Sequence, residues 1–164
     1  MLVTVSTFVW IMMIPDAMRS DTILPEIKPD VEINIKTSEI TMHKGEAKII
    51  PITIRNNTEE PTHAKLWVYS TNSEDIAAES PISNESLGRS FEEIKKRGLD
   101  DGFSIFLDEQ EFQLAINQNT KIVSVRLTAS DSVKKGEHYF AHPLYTKSFS
   151  LEQITYAKFH VTVE

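Results

Sequence analysis

The sequence predicts an all-β fold, a Greek-key β-sandwich of about seven or eight short strands with one short inserted helix. Three observations lead there. From Val31 onward, apolar residues recur at every second position in stretch after stretch, which is the period of a half-buried strand. Clusters rich in Asn, Gly, Pro, Asp and Ser separate these stretches and read as turns. Helical periodicity is confined to one segment around Ser90. The 164 residues suit one domain, and 40% hydrophobic with 25% charged residues is ordinary globular composition. A sandwich of about 130 residues can close on its core alone. That matters because the chain has no Cys, which removes disulfides, thiolate metal sites and thiol nucleophiles together.

The first residues stand apart. Leu2 to Ile14 form an apolar run that Pro15 and Asp16 break. Its length, about thirteen residues, is too short for a membrane-spanning helix and suits the apolar region of a secretory signal. No Lys or Arg precedes it, so an element of the fold or an arm that docks on a neighbouring copy remain alternatives. We therefore expect an apolar segment at 1–18, a linker at 19–30 in which Pro25 and Pro29 favour extended chain, and a sandwich at 31–164.

Val31 to Lys36 places Val31, Ile33 and Ile35 on one face. Met42 to Glu46 is a turn signal, and the strand from Lys48 to Asn56 points Ile50, Ile52 and Ile54 inward. Pro51 has the opposite parity and marks a local edge or bulge. After the polar loop 56–61, the strand His63 to Ser70 alternates Ala64, Leu66 and Val68 against Lys65, Trp67 and Tyr69. Both faces are partly apolar, so it sits centrally or its aromatic face meets another element. Ser90 to Gly98 has a helix signature: Ser90 and Glu93 match a capping box, bases occupy the end and Gly98 terminates it. So short a helix needs Phe91 and Ile94 docked on a sheet. Strands follow at Phe103 to Leu107, Glu111 to Ile116, Lys121 to Thr128, Glu137 to Tyr145 and Tyr156 to Val163.

Gly45-Glu46, an alternating strand, Asn56-Asn57-Thr58-Glu59-Glu60-Pro61 and Leu66-Trp67-Val68 come in an order with a known parallel. So do Phe112-Gln113-Leu114, Val123-Ser124-Val125-Arg126-Leu127 and Lys135-Gly136-Glu137-His138-Tyr139. The succession resembles the N-terminal, immunoglobulin-like domain of PapD-like periplasmic pilus chaperones over about residues 31–145, and is similar to CARDB-type envelope modules. The resemblance implies an immunoglobulin-like sandwich and a protein-binding role. The family's first-strand Arg, which anchors a bound subunit's carboxylate, has no counterpart: Ile40-Thr41 stands at the matching place. The family's second domain would not fit in this length.

Chemistry is hard to find. His138 and His142 share a strand face but would lie about 13 Å apart, too far for one metal ion, and they read as ordinary surface or edge histidines. His43, His63 and His160 are isolated. The acidic clusters lack the calcium-loop pattern, and no phosphate loop or nucleophile elbow occurs. We expect no catalytic residues, no metal and no cofactor. The formal charge of −7 argues against nucleic acid and anionic lipid as partners. Asn56 and Asn84 begin N-glycosylation patterns in expected loops. Trp67 and Tyr69, with Lys65 beside them, are the candidate partner-binding residues, since outward aromatics bury large areas at low entropy cost. The competing reading is that Phe91 and Ile94 of the inserted helix cover them.

The expected function is a non-catalytic, exported, immunoglobulin-like protein-binding module of the cell envelope, periplasmic or at the cell surface, acting as a chaperone-like or anchoring subunit. The alternative is a structural subunit of a surface filament or layer that assembles by strand exchange. The partner is a protein, through edge-strand addition, or further copies of the chain, with a membrane involved only through an uncleaved N-terminal segment.

Overall fold

The computed structural model describes residues 29–71, 87–116 and 120–164. The N-terminal run, the linker up to Lys28 and the Asn84 pattern lie outside the described residues. The rest forms two packed sheets, as the alternation requires. The first has strand order β1-β3-β8-β6, built from Val31–Ile35 (β1), Ala47–Asn56 (β3), Thr120–Ala129 (β8) and Phe103–Leu107 (β6). The second runs β2-β10-β9-β4-β7, from Glu39–Met42 (β2), Glu152–Val163 (β10), Gly136–Lys147 (β9), Thr62–Leu66 (β4) and Glu111–Leu114 (β7). The short Tyr69–Thr71 (β5) also pairs with β9. Every neighbouring pair is antiparallel except β2 and β10.

Ten strand segments among the described residues exceed the expected seven or eight because two strands are interrupted. The first crosses from one sheet to the other at 36–38, so that β1 pairs with β3 and β2 with β10. β2 lies between the expected strand, which ends at Lys36, and the turn signal that begins at Met42, and is too short to show alternation. The expected strand at His63 to Ser70 breaks at Trp67–Val68 into β4 and β5, and β4 is central between β9 and β7.

The crossing explains Pro51. β1 pairs only with Ile52–Asn56, leaving Ala47–Pro51 flanked by β8 alone. Ala129 N donates to Glu46 O at 2.9 Å, so even-numbered residues of β3 bond towards β8 and the Pro51 nitrogen faces the open side. The proline therefore costs no ladder bond.

Inner faces follow the alternation. Ile50, Ile52 and Ile54 meet Val123, Val125 and Leu127 from the first sheet and Leu66, Leu144, Phe140 and Val161 from the second, all buried. Ile116 departs from the expected inward row: β7 ends at Leu114, and Ile116 is exposed. The helix, α1, runs Leu87–Lys95. It starts before Ser90, which lies within it rather than capping it. Gly98, at φ +72°, ends the segment as expected.

Candidate functional site

The three residues singled out from the sequence share the outer face of the second sheet, where α1 lies across the two aromatics. Tyr69 is fully buried with Ile94 and Ala141, and the Arg97 guanidinium sits 5.2 Å from its ring centre. Trp67 is half-buried, packed against Phe91 and Tyr145, with Lys95 Nζ 5.8 Å above its ring. Lys65 pairs with Glu111 at 3.5 Å, which also holds His63 Nε2 at 2.9 Å. The expectation of a solvent-facing aromatic pair is thus corrected. Burying Phe91 and Ile94 contributes roughly 1.5–3 kcal/mol each, and the two outward aromatics are what they are buried against.

Of the two histidines of β9, His142 is corrected from a surface or edge residue to a buried one. His142 is fully buried, stacked 4.9 Å from Phe159, with Nδ1 3.3 Å from Trp67 O. Desolvation pushes its pKa down to about 3, against the smaller opposing pull of the Trp67 carbonyl. His138 is bound at both ring nitrogens, Nδ1 to Asp100 Oδ2 at 3.3 Å and Nε2 to Lys134 O at 2.8 Å. It lines a polar cleft with Ser70, Thr71, Arg97 and Tyr139. The cleft brings a Ser, a His and an Asp together without making a nucleophile. The Asp100 N–H donates to Ser70 Oγ, and neither His138 nitrogen is available as a base for it. Among the described residues no group of three or more His, Asp or Glu could hold a metal ion, and no helix is long and apolar enough to cross a membrane.

Asn56 is no glycan acceptor in the folded chain. It is fully buried, its Nδ2 donates to Glu60 O at 2.8 Å and Ala115 O at 3.1 Å, and its Oδ1 receives Thr58 N at 3.0 Å. The polar loop is an Asx-type turn tied to the end of the sandwich, not a free segment.

The exposed apolar surface lies on the other side of the molecule. On the outer face of the first sheet, Ile49 is 69% exposed, Phe106 64% and Ile122 61%. Register places Ile49 and Phe106 directly either side of Arg126, with Pro51 opposite Ser124 and Ile122 opposite Thr53. These residues form one diagonal band across β3, β8 and β6, since same-face neighbours on adjacent strands are within reach of each other. Among the described residues Arg126 makes no ion pair. A cavity of about 380 Å³ lined by Ser104, Ile105, Phe106, Arg126 and Thr128 borders the band. Sequence reasoning missed it. The available signal was Ile49 and Ile122 standing at the polar parity of strands whose inner residues were already assigned.

No protein-family model and no curated protein matches the sequence. Solved structures do. The chain is similar to a FixG-related protein from Vibrio parahaemolyticus, with a TM-score of 0.52 at 9% identity over 84% of this chain and 99% of that one. The periplasmic chaperone SfaE matches with a TM-score of 0.45 at 11% identity over 81% of this chain. A PapD-like domain of human CEP192 matches at 0.47 and 13% over 99% of this chain and 96% of that one. The chain spans 57% of the length of SfaE. At these identities the likeness is one of fold, an all-β sandwich.

Proposed function

We propose that this chain is a non-catalytic protein-binding module that acts outside the cytoplasm as a chaperone-like or anchoring subunit. The observation that carries the binding role is the band that runs from Phe106 and Ile49, either side of Arg126, past Pro51 to Ile122. Large apolar side chains exposed on three adjacent strands, with an arginine between them, have the composition of an interface core. The chaperones among the similar structures lend the reading its context, and the apolar run at Leu2 to Ile14 supports export.

A photo-reactive phenylalanine analogue at Phe106, expressed in the native host, tests this. The expected result is one discrete covalent adduct, recovered outside the cytoplasm and lost when Ile49→Ser and Ile122→Ser are added. Equal adduct yield from the same analogue at Glu39, on the opposite sheet, would sink the assignment of the face. Purely cytoplasmic adduct would sink the export.

A further inference from the structure

The same sheet ends at β6, and its outer edge is built differently from the other edges. Asp108 N donates to Ser124 O and Ser130 N to Gly102 O, so the even-numbered residues of this strand bond towards β8. The N–H and C=O groups of Ile105 and Leu107 consequently face away from β8, and among the described residues no strand pairs with them. Natural edges are blunted with charge, proline or bulges. β7 carries Glu111 and β1 carries Glu32, but Phe103–Leu107, FSIFL, contains no charge and no proline. Its Phe106 is the end of the exposed band that reaches this edge, and the cavity beside it is lined by Ser104, Ile105 and Phe106 of the strand itself.

Charge is gathered at the two ends of this neutral strand instead. Asp100 and Asp101 precede it, and Asp108 and Glu109 follow it. Asp100 is engaged by His138 and Glu109 by Lys121. Asp101 and Asp108 make no ion pair among the described residues, Asp108 accepting only Ser124 N at 2.9 Å. A second copy adding antiparallel about Ile105 would set Asp101 against Glu109 of the other chain and Asp108 against Gly102, so acid would meet acid at both ends. Like charges placed opposite each other disfavour such a pair. A strand with basic ends is favoured by the same geometry.

We propose that the outer edge of β6 receives an extended, alternating apolar segment of a different protein, flanked by Lys or Arg at both ends. The proposal rests on the protein-binding reading and specifies the form of its ligand. The backbone of Ile105 and Leu107 supplies affinity without regard to sequence, the Phe106 cavity takes an apolar side chain, and the acids at the two ends select the flanks.

The probe is a fluorescent peptide of alternating valine and threonine with two lysines at each end, compared with the same peptide ending in glutamates. Anisotropy should show the lysine-ended peptide binding about tenfold or more tightly than the other. Ile105→Pro removes an N–H that the fold does not use, and Ser104→Lys places a charge on the exposed edge. Each should weaken binding about tenfold. If Ile105→Pro does not fold, Ser104→Lys carries the test. On binding, hydrogen exchange at Ile105 and Leu107 should slow. Equal affinity for the two peptides, unchanged binding by the folded edge variants, or a dimer that Ser104→Lys abolishes would each overturn the proposal. A Phe106 adduct that persists in Ser104→Lys, with neither peptide binding the wild type, would remove the edge and leave the protein-binding reading standing.

Discussion

His142 should make the protein acid-sensitive in a measurable and separable way. Its ring is fully buried against Phe159, with Nδ1 towards Trp67 O, and its pKa is pushed down to about 3. An exposed histidine titrates near 6.5, so above that pH neither state binds the proton and the residue adds no pH dependence. Below it, the unfolded chain takes up a proton that the folded chain refuses. Stability is therefore lost as pH falls, by about 1.4 kcal/mol per unit, until the folded ring titrates. The loss is about 2.7 kcal/mol at about pH 4.5 and approaches about 5 kcal/mol near pH 3. His142→Phe keeps the stack on Phe159, cannot be protonated, and forfeits the contact to Trp67 O by a constant about 1 kcal/mol. Urea unfolding of both proteins at pH 7.5 and 4.5 isolates the effect, because the carboxylates titrate in both and cancel. The stability difference should shift by about 2–3 kcal/mol in favour of the variant on acidification. A difference that stays constant across that range would refute the buried, neutral ring.

Further outcomes follow from packing and hydrogen bonding. Asn56→Ala strips the loop 56–61 of its bonds to Glu60, Ala115 and Thr58, and should cost about 2–3 kcal/mol in a denaturant titration. In a glycosylating host, mass spectrometry should find the wild-type Asn56 unmodified. Gly102→Ala should destabilise by more than about 2 kcal/mol, because φ is +96° and an added Cβ would stand 2.7 Å from the Val133 Cα. Gly98→Ala, also at positive φ but with open space around it, should cost only about 1 kcal/mol. Replacing Phe106 and Ile122 by Ser should leave the unfolding free energy within about 0.5 kcal/mol of wild type while abolishing partner binding, since both side chains are mostly exposed.

Legibility in the sequence tracked the reach of each physical cause. Period-two alternation is local, so β3, β6 and β8 could be read almost residue by residue, and the short helix followed from Phe91, Ile94 and Gly98. Sheet membership is not local. Nothing in Val31 to Met42 says that the strand changes sheets, and the four residues of β2 are too few to show alternation beside the turn signal that begins at Met42. Burial by another element is likewise invisible to parity. Lys65, Trp67 and Tyr69 do share an outward face, but α1, brought from some 25 residues downstream, makes that face interior for the two aromatics. His142 obeys the alternation: it shares the inner face of β9 with Phe140 and Leu144, so it is a core residue although its side chain is polar. The exposed band could have been found from Ile49 and Ile122, but only by asking why an outward position was apolar.

The parallel pairing of β2 with β10 has a mechanical consequence. Glu39–Met42 runs alongside His160–Val163 in the same direction, bracketed by His160 N to Ser38 O at 2.8 Å and Glu164 N to Met42 O at 3.0 Å. Tension entering at Glu39 and leaving at Glu164 pulls these strands past each other along their axes. All the bonds of the ladder then bear the load at once, whereas an antiparallel hairpin pulled at its open end would release them one by one. A domain wired in this way resists stretching between its first and last strands, whatever it holds on its outer face.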